Sequence, residues 1–177
     1  MGYQCGERSL KEDYDVYSLL KLKDKDEMVS SGYGWSVSFW NTKTFQKEHS
    51  VGCCLCWSAG GIIELPNHRI ATCGGHSSTI DIIDTEYYQR AKQIEYNGYI
   101  VKSGASWSSL VLLNHGTFIY IHDERFCQLS STTHEVLVPI RMWDEFKGDT
   151  ITIALNGKYI ISDNRNCGIS VFKVNYT

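Results

Sequence analysis

The feature that most constrains this chain is that it repeats itself. The segment Leu65 to Thr85, LPNHRIATCGGHSSTIDIIDT, lies over Leu155 to Asn175, LNGKYIISDNRNCGISVFKVN, with apolar residue on apolar residue. Ile70 falls on Tyr159, Thr72 on Ile161, Cys73 on Ser162, Ile80 on Ile169, Ile82 on Val171 and Ile83 on Phe172, with no gap from Ile70 onward. A third copy is Met28 to Thr42, MVSSGYGWSVSFWNT, which places Trp40 where Ile83 and Phe172 stand, and a looser fourth runs from Leu113 to Ser131. Self-similarity at a fixed period marks a repeat architecture, in which one supersecondary unit buries its apolar face against the next.

The repeated unit is built of strands. Apolar residues come in short, often alternating runs (SVSFWN, STIDIID, TFIYIHD, GISVFKV) divided by Gly, Asn, Asp and Ser turns, and no stretch carries a helical period. Second strands are expected to begin at Met28, Ile70, Phe118 and Tyr159, which lie 42, 48 and 41 residues apart. Four-stranded units are expected over about 17–50, 62–94 and 107–142, and a last unit, 150–173, stops after its third strand. A polar segment, 1–16, precedes this domain of 17–177.

A four-stranded unit at this spacing is the period of a β-propeller blade. The expected fold is therefore all-β: a propeller-like array of about four four-stranded antiparallel blades, the last incomplete, in a partial or open ring. Residues 1–15 make a poor strand for closing such a ring. A part of a larger propeller is the expectation, ahead of an arc that associates through its open blade edges or a small closed ring.

The stretch EMVSSGYGWSVSFWNTKT is similar to the centre of a WD repeat, with VSSG, a turn, and then a strand ending at Trp40-Asn41 where the family shows Trp-Asp. TIDIIDTE and GISVFKVN resemble it too, with Ile83-Asp84 and Phe172-Lys173 at the dipeptide. No Gly-His opens the units, and the family's aspartate before the third strand is missing from the first two. The buried Ser-His-Asp-Trp hydrogen-bond network of regular WD repeats is thus not expected. The resemblance implies a non-enzymatic scaffold or substrate-receptor module that binds other proteins or peptides through its loops. Tyr33, Trp35 and Arg165 in turns between second and third strands, and Trp57, Trp107 and Trp143 in connectors, are the candidate anchors.

One pattern points elsewhere. Cys53, Cys56, Cys73 and His76 read C-x2-C-x16-C-x2-H, the ligand spacing of a small zinc site, and a zinc-binding or enzymatic propeller is the alternative. Against it, Cys73 aligns with Ser31 and Ser162, and His76 with Arg165. Cys56-Trp57-Ser58 is answered in the next connector by Ser106-Trp107-Ser108. Cysteine stands where serine stands, as a small buried residue, and neither metal nor cofactor is expected. No nucleophile elbow, P-loop or dinucleotide fingerprint occurs, and the six histidines are scattered. Net charge is −3 with no Lys/Arg run, which argues against nucleic acid and anionic membrane as partners. No stretch approaches the roughly 20 apolar residues that span a bilayer. Seven cysteines without an apolar leader read as cytoplasmic thiols.

Overall fold

The computed structural model describes residues 11–53, 59–74, 79–95, 110–113, 117–122, 125–130, 136–140, 151–154, 159–164 and 168–173. Among these every regular element is a strand. Blade 1 comprises β1 (Val16–Lys21), β2 (Glu27–Gly32), β3 (Ser36–Asn41) and β4 (Lys47–Gly52). Blade 2 comprises β5 (Ala59–Leu65), β6 (Arg69–Gly74), β7 (Thr79–Asp84) and β8 (Gln89–Glu95). Blade 3 holds β9 (Leu110–Leu113), β10 (Thr117–His122), β11 (Arg125–Ser130) and β12 (Val136–Ile140). Blade 4 holds β13 (Ile151–Ala154), β14 (Tyr159–Asn164) and β15 (Gly168–Lys173). Each blade is a separate antiparallel meander in chain order. The second strands begin within one residue of the starts that the repeat implied.

The first strands β1, β5, β9 and β13 stand side by side in that order. Among the described residues β13 and β1 have no comparable packing, so the array is an open arc. The bulges repeat as well. Register shifts fall between Val16 and Ser18 in blade 1 and between Ala59 and Gly61 in blade 2. A second set falls at Phe39/Trp40, Ile82/Ile83 and Gln128/Leu129, the same place in three blades. A bulge bends and twists its strand, so repeating it gives each blade the same twist.

Alternation along each strand gives every blade two faces. In blade 1 Val29, Val37 and Phe39 are fully buried and join Leu22, Val51 and Cys53 in one cluster with Ile62, Ile70 and Ile83 of blade 2. The opposite face of blade 2 carries Ala71, Cys73, Ile80 and Ile82, buried with Leu65 and Ile94 in a second cluster. These two seams are the described core. Burial of an Ile or Phe side chain contributes roughly 1.5–3 kcal/mol, so stacking of blades, more than pairing within one, holds the array together.

The last blade corrects the sequence alignment. Ile70 pairs with Ile83, and Ile160 pairs with Phe172, so one more residue separates the first two than the second two. The extra residue belongs to the turn after β6, not to the turn before it. The counterpart of Ile70 is therefore Ile160, which is buried, and not Tyr159. Cys73 corresponds in register to Asp163 and not to Ser162, although Ser31 keeps its place, pairing with Val37 as Cys73 pairs with Ile80. Three consecutive apolar residues, Tyr159 to Ile161, hide such a slip, because either register lays apolar on apolar.

Candidate functional site

In an antiparallel meander successive turns fall on alternate ends of the sheet. One end of the array carries the β2–β3 turn; the other carries the β1–β2, β3–β4, β5–β6 and β7–β8 turns. The two ends differ in kind.

On the first end Tyr33 and Trp35 project from the β2–β3 turn. Trp35 is 70% exposed and Tyr33 46% exposed. Their main chain is pinned from both sides. The Tyr33 amide donates to the Asp15 carbonyl at 2.8 Å, the Gly34 amide to Gly32 at 2.9 Å, and the Cys53 amide to the Trp35 carbonyl at 2.7 Å. Two glycines let the segment before β1 come this close. A Cβ on Gly32 would sit 1.8 Å from the Asp15 carbonyl oxygen, and one on Gly34 would sit 2.7 Å from the Tyr14 ring. The Tyr14 hydroxyl donates to the Ser36 carbonyl at 3.1 Å and lies 3.3 Å from the Ser38 hydroxyl. The turn is thus a rigid mount for two aromatic side chains.

Beneath this turn lies a hydrogen-bond chain. The indole N–H of buried Trp40 donates to the Ser30 hydroxyl at 2.8 Å, and that hydroxyl donates to the Glu12 carboxylate at 2.8 Å. Lys47 reaches the other Glu12 oxygen at 2.7 Å and lies 5.3 Å over the Trp40 ring. The Glu12 side chain is only 4% exposed. Burial pushes its carboxyl up, but hydrogen bonds from Lys47, Ser38 and Ser30 and the Lys47 charge outweigh it and hold it below the usual value. The same hydrogen bond to Glu12, against some desolvation, raises Lys47. Sequence reasoning expected no such network and passed over Glu12 as part of a polar leader. The chain runs from Trp40 to Ser30 and ends on the Glu12 carboxylate.

On the other end a cavity of about 500 Å³ lies between the β1–β2 turn and the turns of blade 2, lined by Lys23, Lys25, Glu64, Asn67, His68 and Glu86 among others. Asn67 and His68 both have positive φ (60° and 53°), the sign that a type I′ hairpin turn requires. The polar groups here hold the blades to one another. The Lys23 amide donates to both Glu64 oxygens at 3.1 and 3.2 Å. Lys25 donates to the Thr85 carbonyl, and Tyr88 donates to Glu27. Tyr88 also stacks on His49, with centroids 3.6 Å apart, and meets Phe39 edge-on at 5.2 Å. Burial, then the Glu27 bond and charge, push the Tyr88 phenol up. The mixed-charge run KLKDKDE, Lys21 to Glu27, spans the β1–β2 turn, and its last residue, Glu27, is buried in this latch.

Of the remaining candidate anchors, Trp57, Trp107, Trp143 and Arg165 lie outside the described residues, as do Cys56 and His76 of the zinc pattern. The two described thiols are buried in different seams: Cys53 in the cluster between blades 1 and 2, and Cys73 on the far face of blade 2. Among the described residues no group of three or more His, Cys, Asp or Glu gathers in a metal-holding arrangement.

No family model and no curated protein matches the chain. Solved structures do. A chain of a mitotic checkpoint complex superposes with a TM-score of 0.74 at 16% identity, over 93% of this chain and 50% of that one. A chain of Kuenenia stuttgartiensis hydrazine synthase gives 0.74 at 16% identity, over 97% and 49%. The computationally designed Ika4 protein gives 0.68 at 10% identity, over 96% and 99%. The chain therefore spans about half the length of the first two. At these identities the likeness is one of fold, and it agrees with a propeller-like array.

Proposed function

We propose that this chain is a non-enzymatic protein-interaction module of the WD-repeat type, a cytoplasmic scaffold or substrate receptor that engages a peptide or protein segment through Trp35 and Tyr33. The observation that carries the reading is a large aromatic side chain held 70% exposed on a turn whose backbone is fixed on both sides. Exposed Trp and Tyr on a rigid mount lose little conformational freedom on binding, which is why such residues dominate binding energy at interfaces. The WD-type assignment is supported by the buried Trp40–Ser30 hydrogen bond, half of that family's network. It is also supported by Asn41 and Asp84, at the second position of the Trp-Asp dipeptide. Each accepts two amides of the following turn, Lys43 and Thr44 or Glu86 and Tyr87. That a structural neighbour belongs to a protein complex is in keeping with protein partners.

Peptides selected from a displayed library on the intact chain, then measured by fluorescence anisotropy, test this. The Trp35→Ala/Tyr33→Ala variant is expected to weaken them about 30-fold or more, the effect of losing a hot spot of about 2 kcal/mol. Its unfolding midpoint should stay within about 0.5 kcal/mol of the parent, as for exposed positions. Selected peptides that bind parent and variant equally would remove Trp35 and Tyr33 from the proposed site.

A further inference from the structure

The two ends of the arc expose the two halves of one joint. In blade 2 the trailing face carries Ile80 and Ile82, both buried in the seam beyond it. Their counterparts in blade 4, Ile169 and Val171, are 76% and 60% exposed. Half-buried Tyr159 and Ile161 share that face by register, since Ile161 pairs with Val171 and Tyr159 with Lys173. The other face of blade 4, turned to blade 3, carries Ile160, which is buried, and Phe172.

At the opposite end only the β1 part of the leading face of blade 1 is open, because Ser30, Ser38 and Trp40 on that face are buried. In blade 2 that face meets blade 1 through Ile62, which pairs with Thr72. Its counterpart Leu19, paired with Ser30, is 61% exposed. Leu20, which points the other way, packs against the core. The strap of Glu12 and Tyr14 covers the Trp40 part of this face and leaves the β1 part open.

Inside the chain a trailing face of this pattern meets a leading face: Val29, Val37 and Phe39 of blade 1 pack on Ile62, Ile70 and Ile83 of blade 2. The free trailing face of blade 4 is thus made for a leading face like that of blade 1. An open arc does not bring its own two ends together, but a second copy offers the missing face at each end. We infer that two copies of this chain join head to tail through two symmetric joints, with Ile169 and Val171 of each seated against Leu19 of the other. A contact between unlike faces closes as a ring when the rotation fits, and two half-arcs close it in pairs.

Sedimentation equilibrium of the 177-residue chain between about 1 and 100 μM tests this. The expected result is a dimer with twice the chain mass. Leu19→Lys and Val171→Lys alter opposite ends at exposed positions, and each should weaken the dimer at least tenfold with an unchanged circular dichroism spectrum. Leu19→Lys combined with Val171→Glu in one chain places opposite charges across each joint and should recover dimer relative to Leu19→Lys alone. A chain that stays monomeric throughout the range overturns the inference, as does open-ended polymer, or a dimer that either lysine variant leaves intact.

Discussion

Blades 1 and 2 use the same frame and fill it differently. Both have a bulge at the end of the third strand, and opposite it a fourth-strand cation, Lys47 paired with Trp40 and Arg90 paired with Ile83. Both place that cation beside a buried carboxylate. In blade 2 the carboxylate is Asp81, within the third strand itself and 3.7 Å from Arg90. In blade 1 that strand position is Ser38, and the carboxylate comes from outside the blade, as Glu12 of the strap at 2.7 Å from Lys47. Blade 2 is covered on its leading face by blade 1, whereas blade 1 has only the strap. The repeat conserves an electrostatic arrangement and not a residue, because a buried cation-facing site needs an anion from whichever segment reaches it.

The largest effect should come from the seam that both blades share. Phe39→Ala removes a fully buried ring from the cluster joining blades 1 and 2 and its edge contact with Tyr88. Equilibrium urea unfolding is expected to show a loss of about 3–5 kcal/mol. A loss below about 1 kcal/mol would mean that the blades do not depend on their stacking.

A smaller effect separates the blades. Glu12→Gln keeps the shape but removes the charge that Lys47 and Ser30 hold, and is expected to lose about 1–3 kcal/mol at neutral pH. The Glu12 carboxyl is lowered from its ordinary 4.5 on folding, so its contribution is full above that value and disappears as pH falls through the lowered one. Parent and variant should therefore converge in urea titrations repeated toward pH 3. A constant gap across that range would show that Glu12 acts through packing and not through charge.

The smallest effect concerns the donor. Trp40→Phe retains an apolar ring but leaves the Ser30 hydroxyl without its indole partner, for an expected loss of about 1 kcal/mol. No such bond exists to lose at Ile83, so Ile83→Leu should stay within the range of a volume-conserving swap, below about 1.5 kcal/mol. Thermal melts of the two variants side by side measure the difference.

Much of the fold was legible in the residues. Strand texture, turn residues and the spacing of Met28, Ile70, Phe118 and Tyr159 place the meanders, because alternation and turn chemistry are local. The exposed place of Trp35 was legible for the same reason, since it sits in a short turn between two strands. Glu12 and Tyr14 were not, since nothing in a polar leader says which surface it will lie against. Gly32 and Gly34 were the only signal of it, and their meaning, room for a neighbouring backbone, appears only when that neighbour is in place. Nor does the spacing of Cys53 and Cys73 say that the two are buried in different clusters.

By itself, then, the sequence determined the repeating four-stranded unit, its period and its two-faced strands, since these follow from side-chain size and polarity over a few residues. Only the tertiary structure decided the register of the last hairpin, the anion that serves blade 1, and which of the repeated apolar faces are covered. Each of these depends on what stands opposite a strand in space. A strand carries apolar side chains whether or not a neighbouring blade arrives to bury them, and Leu19, Ile169 and Val171 stand exposed among the described residues.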